Sequence, residues 1–161
     1  MRGGADMGGD PFAEILKGKV VIVGIGNSLC GDDGLGPLLV GRLAKSCRQL
    51  CIDAGDALER HLGRIVREDP DTVLLVDAAH LGSSPGEHAL LGPGELEGVG
   101  FSTHRWPLKM QLEELARNTG SRIYLLAVQP RSLELGRKVS GEVRRSLQRL
   151  EKRISKALAA A

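Results

Sequence analysis

The stretch KVVIVGIGNSLCGDDGLGPLLVGRLAKS, residues 19–46, decides the fold. An apolar run, VVIVGI, enters a glycine turn, passes an acidic loop and opens a helix. Leu35, Leu38, Leu39 and Leu43 recur along that helix at i, i+3, i+4 and i+8, which puts them on one face. Working outward, PFAEILKGK (11–19) predicts a short helix leading into this first strand. RQLCID (48–53) is a second strand, and a helix carrying Leu58, Leu62, Ile65 and Val66 follows it. TVLLVDAA (72–79) has a continuous apolar core, as a strand covered on both faces should. GEHALL (86–91) comes too soon after Pro85-Gly86 for a parallel crossover and is expected to run antiparallel. A helix from Pro107 to about Asn118 has proline at its first position. RIYLLAV (122–128) is the fifth strand. The final helix, Ser140 to about Leu158, aligns Val143, Leu147, Leu150, Ile154 and Leu158 opposite a solvated basic face. Strands alternating with helices across short loops predict an α/β fold, a three-layer α/β/α sandwich. Residues 1–18 are expected to be a flexible N-terminus and a short lead-in helix, and residues 19–158 one domain.

Composition narrows the function. The 161 residues are 42% hydrophobic and only 2% aromatic, so the core must be aliphatic. Stacking platforms for single-stranded nucleic acid are excluded on that count. The net charge of +2 is too small to argue for a polyanionic partner. Cys30, Cys47 and Cys51 form no C-x-x-C pair, and an odd count predicts reduced thiols in a cytoplasmic protein. MRGGADMGGD at the N-terminus has no apolar signal region, and no run approaches membrane-spanning length, so no membrane insertion is expected.

In an open α/β sheet, function gathers beyond the C-terminal ends of the parallel strands. Gly24-x-Gly26 fits the start of a dinucleotide fingerprint, but the third glycine would fall at position 29, which is Leu29. Asp53, at the end of the second strand, could serve as its ribose-binding acid. Charge argues the other way. The helix start offers about half a positive charge, and Asp32 and Asp33 take that offer themselves, leaving a phosphate repelled. One of the two acids can cap the helix. Asp32 is assigned that structural role and Asp33 the functional one. Asp77 closes the third strand, where a buried carboxylate must find a partner, a cation or a loop to cap. His104, in FSTHRWPL, precedes the Pro107 helix and could fold back over the strand ends. Two carboxylates and an imidazole suit an open divalent-metal site for nickel or zinc, and the carboxylates alone suit acid–base chemistry. Trp106, the only tryptophan, is expected beside the cleft as a partner contact, with a local packing anchor as the alternative.

GIGNSLCGDDGLGP, LLVDAAHLGSSPGE, STHRWPL and LLAVQP resemble, in order and wording, the nickel–iron hydrogenase maturation endopeptidases, in particular the branch serving membrane-bound, hydrogen-evolving hydrogenases. The resemblance runs from about Lys19 to Leu150. It implies a twisted five-stranded mixed sheet between helices and a monomer. It implies an endopeptidase that removes the C-terminal extension from the nickel-loaded precursor of the hydrogenase large subunit. The ligands carried over are Asp33, Asp77 and His104, which are then also the catalytic residues. Nickel is expected to arrive with the precursor, with cadmium or zinc substituting in crystals. Asp53 falls on a family aspartate tied to substrate recognition or cleavage. In that loop relatives usually have proline before the glutamate, whereas here Ala57 and Leu58 precede Glu59. A non-catalytic nickel-delivery or checkpoint protein using the same three ligands is the alternative.

Overall fold

The computed structural model describes residues 8–92, 94–95, 100–101 and 108–161. Five strands, β1 (Val20–Ile25), β2 (Leu50–Gly55), β3 (Thr72–His80), β4 (His88–Leu91) and β6 (Arg122–Val128), form a sheet in the order β2-β1-β3-β6-β4. The first four in that order run parallel, and β4 pairs antiparallel with β6 at the edge. The five-stranded mixed sheet and the antiparallel fourth strand are as the sequence predicts. A two-residue strand, β5 (Gly100–Phe101), pairs antiparallel with the end of β3 and has no counterpart in the sequence reading.

Alternation along the strands separates two cores. Val20 and Ile22 of β1, with Leu74 and Val76 of β3, face a layer made of α1 (Pro11–Ile15), α2 (Leu35–Ser46) and α5 (Gly141–Ala159). Val21, Val23 and Ile25, with Val73 and Leu75, face α3 (Leu62–Glu68) and α4 (Leu108–Asn118). The lead-in helix belongs to the first layer. Phe12 and Leu16 are fully buried, and Asp10, which caps α1 by accepting the Phe12 N–H, also takes both Arg153 Nε and Nη2 from α5. The predicted second helix is split into a 3-10 turn at Leu58–Arg60 and then α3, which stops where Asp69 adopts a left-handed conformation ahead of Pro70. Leu58, Leu62 and Ile65 still enter one core. No described helix is long and apolar enough to cross a membrane.

One contact sets the relation of helix to sheet. A Cβ on Gly24 would stand 2.4 Å from the Gly36 carbonyl oxygen, and a Cβ on Gly36 would stand 2.5 Å from the Ile25 oxygen and 2.6 Å from the Val76 oxygen. The first turn of α2 therefore rests directly on the ends of β1 and β3. Position 36, twelve residues after Gly24, carries the glycine for close helix–strand packing that a nucleotide fingerprint would have placed at 29.

Candidate active site

Between β1 and α2 the chain folds into a 3-10 turn, Gly31–Gly34, that carries both acids. Gly26 reverses the chain at φ +137°, and a Cβ there would come within 1.8 Å of the Asp33 carbonyl oxygen. Only glycine permits so tight a return. Asp33 is 7% exposed, and its Oδ2 accepts the Asn27 N–H at 2.7 Å.

Asp32 is structural, but not as the predicted cap. The cap position is Cys30, and no side chain caps that turn. Asp32 is 1% exposed and acts as an acceptor hub for a distant loop. Its Oδ1 takes the Ser140 N–H at 2.6 Å, and its Oδ2 takes the Arg131 N–H at 2.7 Å, the Ser132 N–H at 3.3 Å and the Ser140 hydroxyl at 2.9 Å. Ser140 precedes α5 yet donates its hydroxyl to Asp32 instead of capping its own helix.

Asp77 pairs in register with Ala127, one residue past the last β1–β3 pair, so it lies level with the final residue of β1, Ile25. By strand parity it points with Val73, Leu75 and Ala79 to the face covered by α3 and α4. It is fully buried, and neither carboxylate oxygen accepts a hydrogen bond from a described residue. Burial holds its carboxyl well above the usual carboxylate range, and the charge of Asp33 pushes it further. The adjacent Ala78 amide pulls slightly the other way without reaching hydrogen-bond geometry. A buried acid whose ionisation is opposed by a neighbouring acid, at the end of a central strand, is chemically suited to a cation or a shared proton.

Asp53 lies on β2 opposite Gly24, exposed, with its Oδ1 turned back to the Gly55 N–H at 3.0 Å. It lines a cleft of about 360 Å³ with Ser28, Pro37, Leu38, Lys138 and Arg144, beside the Asp33 turn. The structure thus brings Asp33, Asp77 and Asp53 to one end of the sheet. His104, Trp106 and Pro107 lie outside the described residues. Among the described residues no three histidine, cysteine or acidic side chains gather as a metal site.

Two elements of the site escaped sequence reasoning. The 131–140 loop, held by Asp32, reads as an ordinary polar connection. Gln129, at the end of β6, is buried and accepts the Leu81 N–H through Oε1 at 2.6 Å, tying the end of β3 to β6. A glutamine followed by proline at a strand end gave the only hint of it.

Comparison with known proteins places this geometry in context. A family model described as hydrogenase maturation protease, HycI, matches residues 38–157. Hydrogenase 3 maturation protease of Escherichia coli K12 is 35% identical over 113 residues, 68% of this chain and 72% of that protein. The crystal structure of a NiFe hydrogenase maturation protease, HycI, from Thermococcus kodakarensis KOD1 superposes with a TM-score of 0.86 at 32% identity, covering 93% of this chain and 99% of that one. The solution structure of the endopeptidase HycI from Escherichia coli gives 0.77 at 28% identity, over 86% and 90% of the two chains.

Proposed function

The chain belongs to the hydrogenase maturation protease family and is a peptide-bond hydrolase, and from that premise we propose its substrate and the residues that act on it. The substrate is the precursor of a nickel–iron hydrogenase large subunit, and the product is that subunit without its C-terminal extension. The HycI match agrees with the resemblance to the branch serving hydrogen-evolving hydrogenases. We place the protein in the cytoplasm as a monomer, with its three cysteines reduced as they are here.

Asp33 and Asp77, with His104 as third ligand, are proposed to meet the nickel that the precursor carries. The donor set fits. Asp77 is buried with no hydrogen-bond partner among the described residues, and Asp33 stands beside it. Carboxylate and imidazole donors suit borderline divalent ions, so zinc or cadmium is expected to occupy the same position in crystals. A bound divalent ion supplies Lewis-acid polarisation of a carbonyl or an acidified water. The chain's own contribution is placement. The Asn27 N–H fixes the Asp33 carboxylate, Asp32 fixes the turn that carries it, and the Gly24–Gly36 contact fixes that turn against β3. Asp53 and Trp106 are proposed to contact the precursor rather than the reacting bond.

The observation that carries this reading is the buried Asp77, with no hydrogen-bond partner among the described residues, beside Asp33. Mass spectrometry of a nickel-loaded precursor, before and after incubation with this protein, tests it. Loss of a C-terminal peptide is expected, together with no loss when Asp33→Asn or Asp77→Asn is used. An intact precursor that nonetheless gains or keeps nickel would replace the protease with a delivery protein.

A further inference from the structure

Two loops form one rim beside the catalytic turn. The Gly136 N–H donates to the Leu29 oxygen at 2.8 Å, the Gly31 N–H to the Arg137 oxygen at 3.0 Å and the Asp32 N–H to the Ser132 oxygen at 2.8 Å. The Asp32 carboxylate bonds close the same seam. Within the 131–140 loop, Leu133 and Val139 pack against the core, whereas Leu135 is 73% exposed. Across the seam Leu29 is 68% exposed. Among the described residues only Met110, on α4, is another large apolar side chain so exposed.

Scattered surface leucines need no explanation. These two are not scattered. Leu29 accepts the N–H of Gly136, the residue after Leu135, so both stand on a rim held by backbone bonds, Leu29 four residues before Asp33, and little backbone entropy remains to be lost when a partner covers them. Farther along the rim, Lys138 and Arg144 line the cleft beside Gly34 and have no ion-pair partner among the described residues. Arg131 and Arg137 are already neutralised by Glu142 and Glu134. The rim thus offers an apolar pair beside the catalytic acids, and the cleft next to it holds two cations against one exposed acid, Asp53.

We propose that Leu29 and Leu135 seat an apolar segment of the precursor chain next to the scissile bond, and that Lys138 and Arg144 take a carboxylate of that same chain. The occupant is an extended acidic–apolar polypeptide. The assignment rests on the protease reading, because continuity with Asp33 is what selects the precursor.

The test uses the full chain and intact precursor, with two double variants, Leu29→Ser/Leu135→Ser and Lys138→Glu/Arg144→Glu. Each should raise KM, and the Kd for immobilised precursor, by about tenfold or more, a step of about 1.4 kcal/mol. The loss should fall on KM rather than kcat, and Tm should not drop. Raising salt should weaken wild-type binding but strengthen binding to the Lys138→Glu/Arg144→Glu variant, whose reversed charges repel that carboxylate until screened. Unchanged KM and Kd in folded variants would overturn the proposal while leaving the protease reading intact. If wild type cleaves no precursor, the protease reading fails, and the binding arm alone decides whether this rim docks that chain.

Discussion

Replacing Asp32 with asparagine separates the two adjacent acids more sharply than their sequence suggests. At a helix cap the two residues are interchangeable, which would make Asp32→Asn silent. As an acceptor hub they are not. Oδ1 faces the Ser140 N–H, and Oδ2 faces the Arg131 and Ser132 N–H groups and the Ser140 hydroxyl. Asparagine has one oxygen, so in either orientation its NH2 confronts a backbone donor that cannot turn away. Losing one charge-assisted bond costs about 1.5–3 kcal/mol, and the surviving bonds weaken as the charge is lost. A total of about 3 kcal/mol lowers Tm by about 6–12 °C in a domain of this size. Calorimetric melts of wild type, Asp32→Asn and Asp33→Asn read this directly, with precursor cleavage measured at a temperature where all three are folded. Asp32→Asn should melt early yet keep most of its cleavage. Asp33→Asn keeps an amide oxygen for the Asn27 N–H, so it should melt near wild type and cleave nothing. An Asp32→Asn melt within about 1 °C of wild type would refute the hub, since it corresponds to less than about 0.5 kcal/mol.

Asp77→Asn should abolish processing with Tm at or above wild type, because it removes a fully buried acid that has no hydrogen-bond partner among the described residues; a fall of several degrees would show that the carboxylate holds the fold. For Asp10, the hydrogen bonds from Arg153 hold the carboxyl below its usual range. A depressed folded value stabilises above the ordinary carboxylate pKa and is lost as pH falls through the depressed one. Asp10→Asn should therefore cost under about 1 kcal/mol at neutral pH, with its melting curve merging with wild type in acid, and a gap persisting at the lowest pH would contradict the assignment. Burial, with Cys47 adding to it, pushes the Cys51 thiol up to about 12, so alkylation near neutral pH, followed by peptide mapping, should leave Cys51 among the last thiols labelled. Rapid labelling of Cys51 in folded protein would show that this thiol is not shielded.

Much of the fold was legible because each strand announces itself locally. VVIVGI and the VLLV run of TVLLVDAA are apolar throughout, and they became strands that face both cores. The antiparallel β4 followed from a turn too short to cross the sheet. What failed was local brevity. Gly100–Phe101 is too short to show a period, and the break between Leu58–Arg60 and α3 leaves the apolar spacing of the segment unchanged. That Asp33 and Asp77 would meet at one end of the sheet was legible from charge in an unusual place, one at a helix start and one at the end of a buried strand. The partners of Asp32 were not. They lie 99 to 108 residues away along the chain, and no spacing rule reaches that far. Asp53 sits in the crevice as expected, with its carboxylate engaged by its own turn.

The contact between Gly24 and Gly36 is backbone against backbone, and this sets limits on how the enzyme can evolve. In most cores a bulky change on one side can be answered by a smaller residue on the other. Here both sides are already as small as an amino acid can be, so neither position has a second-site suppressor to offer. Side chains elsewhere in the two cores can be exchanged to suit a hotter or colder cell, while the gap between the acidic turn and β3 keeps the same width. Descendants of this chain are free to drift in stability, but not in the spacing of the acidic turn from the end of β3.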